Sequence, residues 1–257
     1  MYLRYKLKTP QDFGIKIVSV GNLTVGGSGK TPLVTALADK QNKPAIILRG
    51  YGRASQGMVV VKEGEKILCD VATSGDEAMI YAKKLPHAIV IVSEERKIAI
   101  KKAKDLGAKI IFLDDAYSKH DIKKQDILIK VKTQNSFCLP SGPYRERLWR
   151  GKDALIVEEG VDFERRVSVV NPTQKMSFVT AIARPQRVDK YLPDVVNKHY
   201  FEDHHSYTKE ELQKILDADD ATSLLVTFKD YVKIQDFGLP LSLLDLDLAL
   251  SSKLSVL

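Results

Sequence analysis

At 257 residues the chain has room for one large or two modest domains with a real buried core. Hydrophobic residues make up 44% and charged residues 28%, which excludes a disordered or fibrous chain. No run reaches the ~18 apolar residues of a membrane-spanning helix, and the first ten residues (MYLRYKLKTP) lack the apolar segment of a secretory signal. The 40 Lys+Arg exceed the 33 Asp+Glu, for a formal charge of +7. That balance suits an anionic partner, whether nucleic acid, an anionic bilayer or a phosphorylated substrate, and equally describes an ordinary basic protein. Cys69 and Cys138 lie far apart and outside any CxxC pair, as expected of buried, reduced thiols in an intracellular protein.

In chain order, residues 15–20 (IKIVSV) read as a strand and 31–40 as a helix, with Pro32 tolerated in its first turn. A strand over 45–48 closes on the turn-rich Arg49–Arg53, and 58–61 reads as a short hairpin strand. A helix over 76–84 and a buried strand over 88–92 (AIVIV) follow. Residues 95–106 put Ile98, Ala99, Ala103 and Leu106 on one helical face. Strands over 109–113 and 126–131 complete the first half. Alternation of strand and helix predicts a mostly parallel sheet flanked by helices, with ligands at the carboxyl ends of its strands. Residues 139–153 (LPSGPYRERLWRGKD) break the pattern as a Pro/Gly/Arg-rich connector around Trp149. A second, smaller α/β lobe is expected beyond it, with strands at 154–157, 176–182, 223–227 and 241–250 and a helix at 210–218. The expected division is 1–145 for a P-loop nucleotide-binding core and 146–257 for the second lobe with its linker.

The strongest signal is 18–32 (VSVGNLTVGGSGKTP). Glycines let successive backbone N–H groups turn inward, and together with a helix N-terminus they attract phosphate oxygens. Thr24, Val25, Gly26, Gly27, Ser28, Gly29, Lys30 and Thr31 form the predicted cradle. Lys30 is expected on the β- and γ-phosphates of ATP and the Thr31 hydroxyl on Mg²⁺. The strict spacing of that motif is not met, since Thr24 stands where its first glycine belongs. The strand before and the helix after supply the context a phosphate loop requires.

Asp114 and Asp115 close an apolar strand, where P-loop enzymes hold their metal, although Asp also caps helices there. Asp76 opens a helix and reads either as its cap or as a general base taking a proton from a sugar hydroxyl. His204 and His205 are adjacent, so in an extended chain only one enters a cleft. No third His or Cys stands at zinc spacing, and a histidine orienting an Asp base is the chemical alternative. In the connector, Arg145, Arg147, Arg150 and Lys152 are either a solvated linker or charges for a phosphate.

Taken together, 18–32, 48–53 (LRGYGR), 75–78 (GDEA), 113–115, 139–146 (LPSGPYRE), 181–187 (AIARPQR) and 201–207 (FEDHHSY) resemble the tetraacyldisaccharide 4′-kinase family. That resemblance implies a P-loop core joined to a smaller domain, and transfer of the ATP γ-phosphate to the 4′-hydroxyl of a tetraacylated glucosamine disaccharide 1-phosphate in lipid A synthesis. It implies Asp76 as base, assisted by a histidine of the 203–205 segment, with His205 preferred over His204. It places Asp114, Asp115 and Glu146 with Thr31 at Mg²⁺, and Arg145 near the transferred phosphate. It also implies peripheral attachment to the cytoplasmic face of the bacterial inner membrane. The sequence departs from the family after the Asp pair, where Ala116-Tyr117-Ser118-Lys119 replaces Gly-Phe-Gln-His, and at Ala183-Arg184-Pro185. The apolar N-terminal segment usual in the family is short here. The rival readings are a P-loop kinase or NTPase acting on a small soluble substrate, and a nucleotide-dependent switch. Nucleic-acid binding is not expected, because no aromatic-plus-basic RNA motif or helix-turn-helix pattern is present.

Overall fold

The computed structural model describes residues 9–25, 28–148 and 151–255. Gly26, Gly27, Trp149, Arg150 and the basic, aromatic start of the chain lie outside them.

Twelve elements build the first half: β1 (Lys16–Gly21), α1 (Lys30–Asp39), β2 (Pro44–Leu48), β3 (Val59–Glu63), β4 (Lys66–Ile67), α2 (Val71–Ser74), α3 (Asp76–Lys84), β5 (Ile89–Val92), α4 (Arg96–Asp105), β6 (Ile110–Asp114), β7 (Gln125–Ile129) and β8 (Leu155–Val157). The strands form one sheet in the order β4-β3-β5-β2-β6-β1-β7-β8. Five of its seven pairings are parallel; β3 and β4 add an antiparallel edge. Strands β2, β5 and β6 are buried along their whole length, because helices cover both faces and leave no side for polar residues. One cluster packs Val18, Val20, Ile46, Val90 and Phe112 against α1 and α3, and another packs Ile17, Ile47, Ile91 and Leu113 against α4.

The second sheet comes from β9 (Phe163–Val170), β10 (Met176–Thr180), β11 (Lys198–Tyr200), β12 (Ser223–Thr227) and β13 (Leu241–Leu250), in the order β11-β10-β12-β13-β9. Only the β13–β9 pair is antiparallel. Helix α5 (Lys209–Ala218) is capped by Thr208, whose hydroxyl accepts from Glu211 N, and buries Leu212 and Leu216. Helix α6 (Phe228–Ile234) follows β12 without a loop, and α7 (Ser252–Ser255) ends the described chain.

Three expectations change. Residues 154–157 were assigned to the second lobe, yet β8 pairs with β7 and closes the first sheet; the change of sheet therefore lies after Val157, not at 145/146. The second lobe is not insulated: Phe163, Val232 and Leu254 join the first sheet's main cluster, with Phe228, Leu248 and Leu250 packed on it. The two cysteines are half-buried rather than buried.

Candidate active site

The carboxyl ends of β1 and β6 lie side by side, with Val20 opposite Asp114 in the parallel register. This adjacency brings the phosphate loop and the acidic pair to one sheet edge. Gly29 precedes α1 with φ 83°, a left-handed conformation that favours glycine. A Cβ there would stand 3.0 Å from the Arg165 guanidinium, which reaches over from β9. Among the described residues the buried Ser28 hydroxyl has no hydrogen-bond partner, which suits a donor for an incoming oxygen.

Lys30 is held by the chain that precedes it. Its ammonium donates to Asn22 Oδ1 at 3.1 Å and lies 3.9 Å from Asp115 Oδ1. Asn22, fully buried, is fixed in turn by donating to the Thr24 carbonyl at 2.8 Å. The connector folds back onto this loop: Val25 N donates to the Pro143 carbonyl at 2.9 Å, and Arg145 N to that of Leu23 at 2.9 Å. Arg145 is thereby placed to grip Asp115 with both guanidinium nitrogens, one at 2.9 Å, and to reach the Asn22 carbonyl at 3.2 Å. Glu146 lies 3.9 Å from Arg145 Nε, and burial pushes its carboxyl upward.

Asp114 and Asp115 part ways. Asp115 adopts φ 51° and turns out to Arg145. Asp114 stays inside, 3% exposed, where Tyr81 OH donates to Oδ2 at 2.8 Å and Oδ1 has no partner. Burial raises the Asp114 carboxyl, opposed chiefly by the Lys30 charge. Tyr81 also meets the Thr31 side chain, so one phenol connects the expected Mg²⁺ ligands. A magnesium ion takes one or two carboxylates together with substrate phosphate. The Asp114 oxygen left without a partner among the described residues fits that demand. Among the described residues no three His, Cys, Asp or Glu side chains gather as an all-protein metal cage.

Asp76 sits across the same cleft. Gly75, at φ 83°, turns the chain into α3, and a Cβ there would meet the Tyr51 carbonyl at 3.1 Å. Asp76 is 5% exposed. Its Oδ1 accepts from Glu77 N at 2.9 Å, and Oδ2 lies 3.1 Å from His204 Nδ1 in ion-pair rather than hydrogen-bond geometry. Here the preference for His205 is corrected. Its Nε2 meets Glu211 Oε2 at 2.9 Å, and its ring stacks on Phe201 at 4.7 Å. The segment kinks at His204, φ 65°, which turns that ring into the cleft and its neighbour away. Glu77 was read only as part of a motif. Burial, then the charges of Asp114 and Asp76, push its carboxyl to about 7.

A cleft of about 1290 Å³ between the two sheets is lined by Ser28–Thr31, Glu77, Arg145, Arg165, His204 and Lys229, with Asp76 buried behind His204. Tyr81, Asn22, Arg165 and the lysines of α6 were not singled out from sequence. Only the lysines carried a legible signal, the spacing of Lys229 and Lys233 by one helical turn.

A phosphate loop on β1, an acid at the end of β6 and a buried carboxylate facing both across an interlobe cleft define a P-loop phosphotransferase. Comparison with known proteins gives the particular kind. The family model described as tetraacyldisaccharide-1-P 4′-kinase (LpxK) matches residues 1–168 and 163–255, and the chain belongs to that family. It is 48% identical over 255 residues to the tetraacyldisaccharide 4′-kinase of Helicobacter acinonychis (strain Sheeba), covering 97% of this chain and 81% of that one. Identity to the enzyme of the same name from Aliarcobacter butzleri (strain RM4018) is 46%, over 95% and 81% of the two chains. A crystal structure of LpxK from Aquifex aeolicus in complex with ATP shares the fold, with a TM-score of 0.74 at 23% identity, over 97% of this chain and 89% of that one.

Proposed function

We propose that the protein performs its family's reaction, transfer of the ATP γ-phosphate to the 4′-hydroxyl of a tetraacylated glucosamine disaccharide 1-phosphate. In this reading the loop from Thr24 to Thr31 cradles the nucleotide's phosphates. Lys30 and Arg145, pre-set by Asn22 and Asp115, offset charge on the transferred group. Phosphoryl transfer gains most of its rate from such positioning and electrostatics. Thr31 and Asp114 would hold Mg²⁺, with Asp115 and Glu146 beside it, and the ion would supply further neutralisation of phosphate charge.

Asp76 accepts the proton of the 4′-hydroxyl as the new O–P bond forms, the bond from the γ-phosphorus to the β,γ-bridging oxygen breaks and ADP departs. His204 holds the carboxylate toward the cleft. The observation that carries this reading is the meeting of a first-lobe carboxylate and a second-lobe histidine, 3.1 Å apart, the histidine lining the same cleft as the phosphate loop. The acceptor's acyl chains require access to a bilayer, and a formal charge of +7 supports peripheral binding to an anionic lipid surface, which the family reaction would put at the cytoplasmic face of the inner membrane.

The test is direct. Purified protein with ATP, Mg²⁺ and the disaccharide 1-phosphate should yield a bis-phosphorylated lipid on thin-layer chromatography. Phosphorylation of soluble sugars instead, or ATP hydrolysis indifferent to the acceptor, would refute it. Asp76→Ala should keep nucleotide affinity and lower turnover by ~10²–10⁴-fold; near-normal turnover would remove Asp76 from the role of base.

A further inference from the structure

Helix α6 carries two lysines that the roles above leave unused. Lys229 and Lys233 are four residues apart, so their side chains leave the helix on one face. That face is turned to the other lobe, and each ammonium stands 3.7 Å from Asp76 Oδ2. Both side chains are largely withdrawn from solvent, at 18% and 15% exposure. Lys229 also donates to Asp203 Oδ1 at 3.0 Å and lies 3.3 Å from His204 Nε2. Lys233 donates to the His205 carbonyl at 3.2 Å. The helix cannot roll away from this contact, because Asp230 pins it. That fully buried carboxylate accepts from Thr180 Oγ1 and Thr227 Oγ1 at 2.7 Å each, Tyr207 OH at 2.9 Å and Ala181 N at 3.0 Å.

We propose that Lys229 and Lys233 are positioning residues for the base: they hold Asp76 as an oriented carboxylate, fix the tautomer of His204, and tie both to docking of the second lobe. The inference rests on Asp76 acting as the base. A buried carboxylate without a nearby cation favours its neutral form, which cannot accept a proton. The first lobe makes this worse, since α3 brings Glu77 and β6 brings Asp114 into the same pocket, with Lys30 as their cation. The opposing charge beside Asp76 comes from the second lobe: Lys229 and Lys233 on α6, with Asp203 shared by Lys229. Burial works against the Lys229 charge, yet Asp76 and Asp203 hold its ammonium above the ordinary lysine value.

The tautomer follows from donor counting. An ammonium can only donate, so the His204 nitrogen that faces Lys229 presents its lone pair. The ring proton then sits on Nδ1, the atom 3.1 Å from Asp76 Oδ2. His204 thus turns its N–H side toward the base, in ion-pair rather than hydrogen-bond geometry, while Lys229 keeps the ring from turning over. Withdrawal of the second lobe removes His204 and both lysines together, which leaves the acceptor hydroxyl without an oriented base.

Steady-state kinetics of the full chain with ATP and the disaccharide 1-phosphate test this. Lys229→Met and Lys233→Met should each lower kcat by ~10- to 100-fold, part of what general-base catalysis contributes, with the ATP dissociation constant within about twofold of the parent. Lys229→Arg should keep more kcat than Lys229→Met, and ethylammonium should restore part of the turnover of Lys229→Ala. Singles and a double variant with near-parental kcat would overturn the proposal. So would a loss shared equally by Lys229→Arg and Lys229→Met, unrescued by amine and accompanied by a lower melting temperature, because that is the mark of a structural lysine. Asp76→Ala, assayed in parallel, separates the two failures. If it is inactive while the lysine variants are fully active, only the lysine role falls; if it is active, the base assignment falls first and the lysine role with it.

Discussion

Two side chains of α3, one buried behind the cleft and one on its wall, make sharp predictions. Tyr81, with no exposed surface, donates its hydroxyl to Asp114 Oδ2 at 2.8 Å and meets the Thr31 side chain. Tyr81→Phe keeps the ring's packing and deletes that hydrogen bond, worth about 1–2 kcal/mol to a charged partner. We expect turnover to fall roughly tenfold, the apparent Mg²⁺ requirement to rise, and the melting temperature to drop by a few degrees as the buried carboxylate loses its donor; a metal titration identical to the parent's would disconnect Tyr81 from the metal ligands. Glu77 predicts a pH dependence. Its carboxyl is raised from the ordinary 4.5 to about 7, by burial and then by Asp114 and Asp76. Between those values the folded protein keeps a proton that the unfolded chain has released. This contribution to stability is therefore whole below pH 4.5 and is lost as pH rises through 7. Glu77→Gln removes the loss. In magnesium-free urea titrations the variant should gain on the parent by about 2 kcal/mol between pH 5 and pH 8, and parallel pH curves would contradict the assignment.

Elements differ in how far the sequence announces them, and the reason is where their information lies. The runs that became β2, β5 and β6 are continuous and apolar, so burial on both faces is written into them directly. The strand before the glycine-rich segment and the helix after it were legible for the same local reason. Strand β9 was missed because Phe163–Val170 alternates charge with apolar residues and becomes a strand only by pairing along β13. Helix α6 was missed because its Thr-Phe-Lys-Asp start looks polar; its stability comes from Asp230, a residue whose four partners are distant in sequence or in the cap. The choice between His204 and His205 was likewise settled by a backbone kink, φ 65° at His204, that adjacency alone does not encode. Because α6 hangs on that carboxylate, Asp230→Ala should destabilise the protein by about 3 kcal/mol or more, leaving the Thr180 and Tyr207 hydroxyls and Ala181 N without a partner. Asp230→Asn, which preserves the acceptor on one side, should lose less. A urea midpoint for Asp230→Ala within error of the parent would show that α6 is held by its apolar contacts alone.

At the scale of the molecule, the proposed catalytic groups are divided between lobes that share one apolar cluster. The first lobe carries the phosphate loop, Asp114 and Asp76; the second carries His204, Lys229 and the Arg165 guanidinium beside Gly29. In the proposed function the acylated acceptor stays in its bilayer, and the enzyme is proposed to come to the lipid. No helix among the described residues is long and apolar enough to cross a membrane. The formal charge of +7 offers attraction to anionic head groups instead, an interaction that acts within a Debye length of the surface. That length contracts from about 10 Å at 0.1 M salt to about 3 Å at 1 M. Binding to vesicles containing phosphatidylglycerol, followed by sedimentation, should therefore drop steeply across that range and be weak on purely zwitterionic vesicles at low salt. Kinase activity toward acceptor embedded in anionic vesicles should fall in the same proportion, while activity toward detergent-dispersed acceptor changes little. Binding that persists undiminished at about 1 M salt would locate the attachment in buried apolar contacts rather than in the charge of the surface.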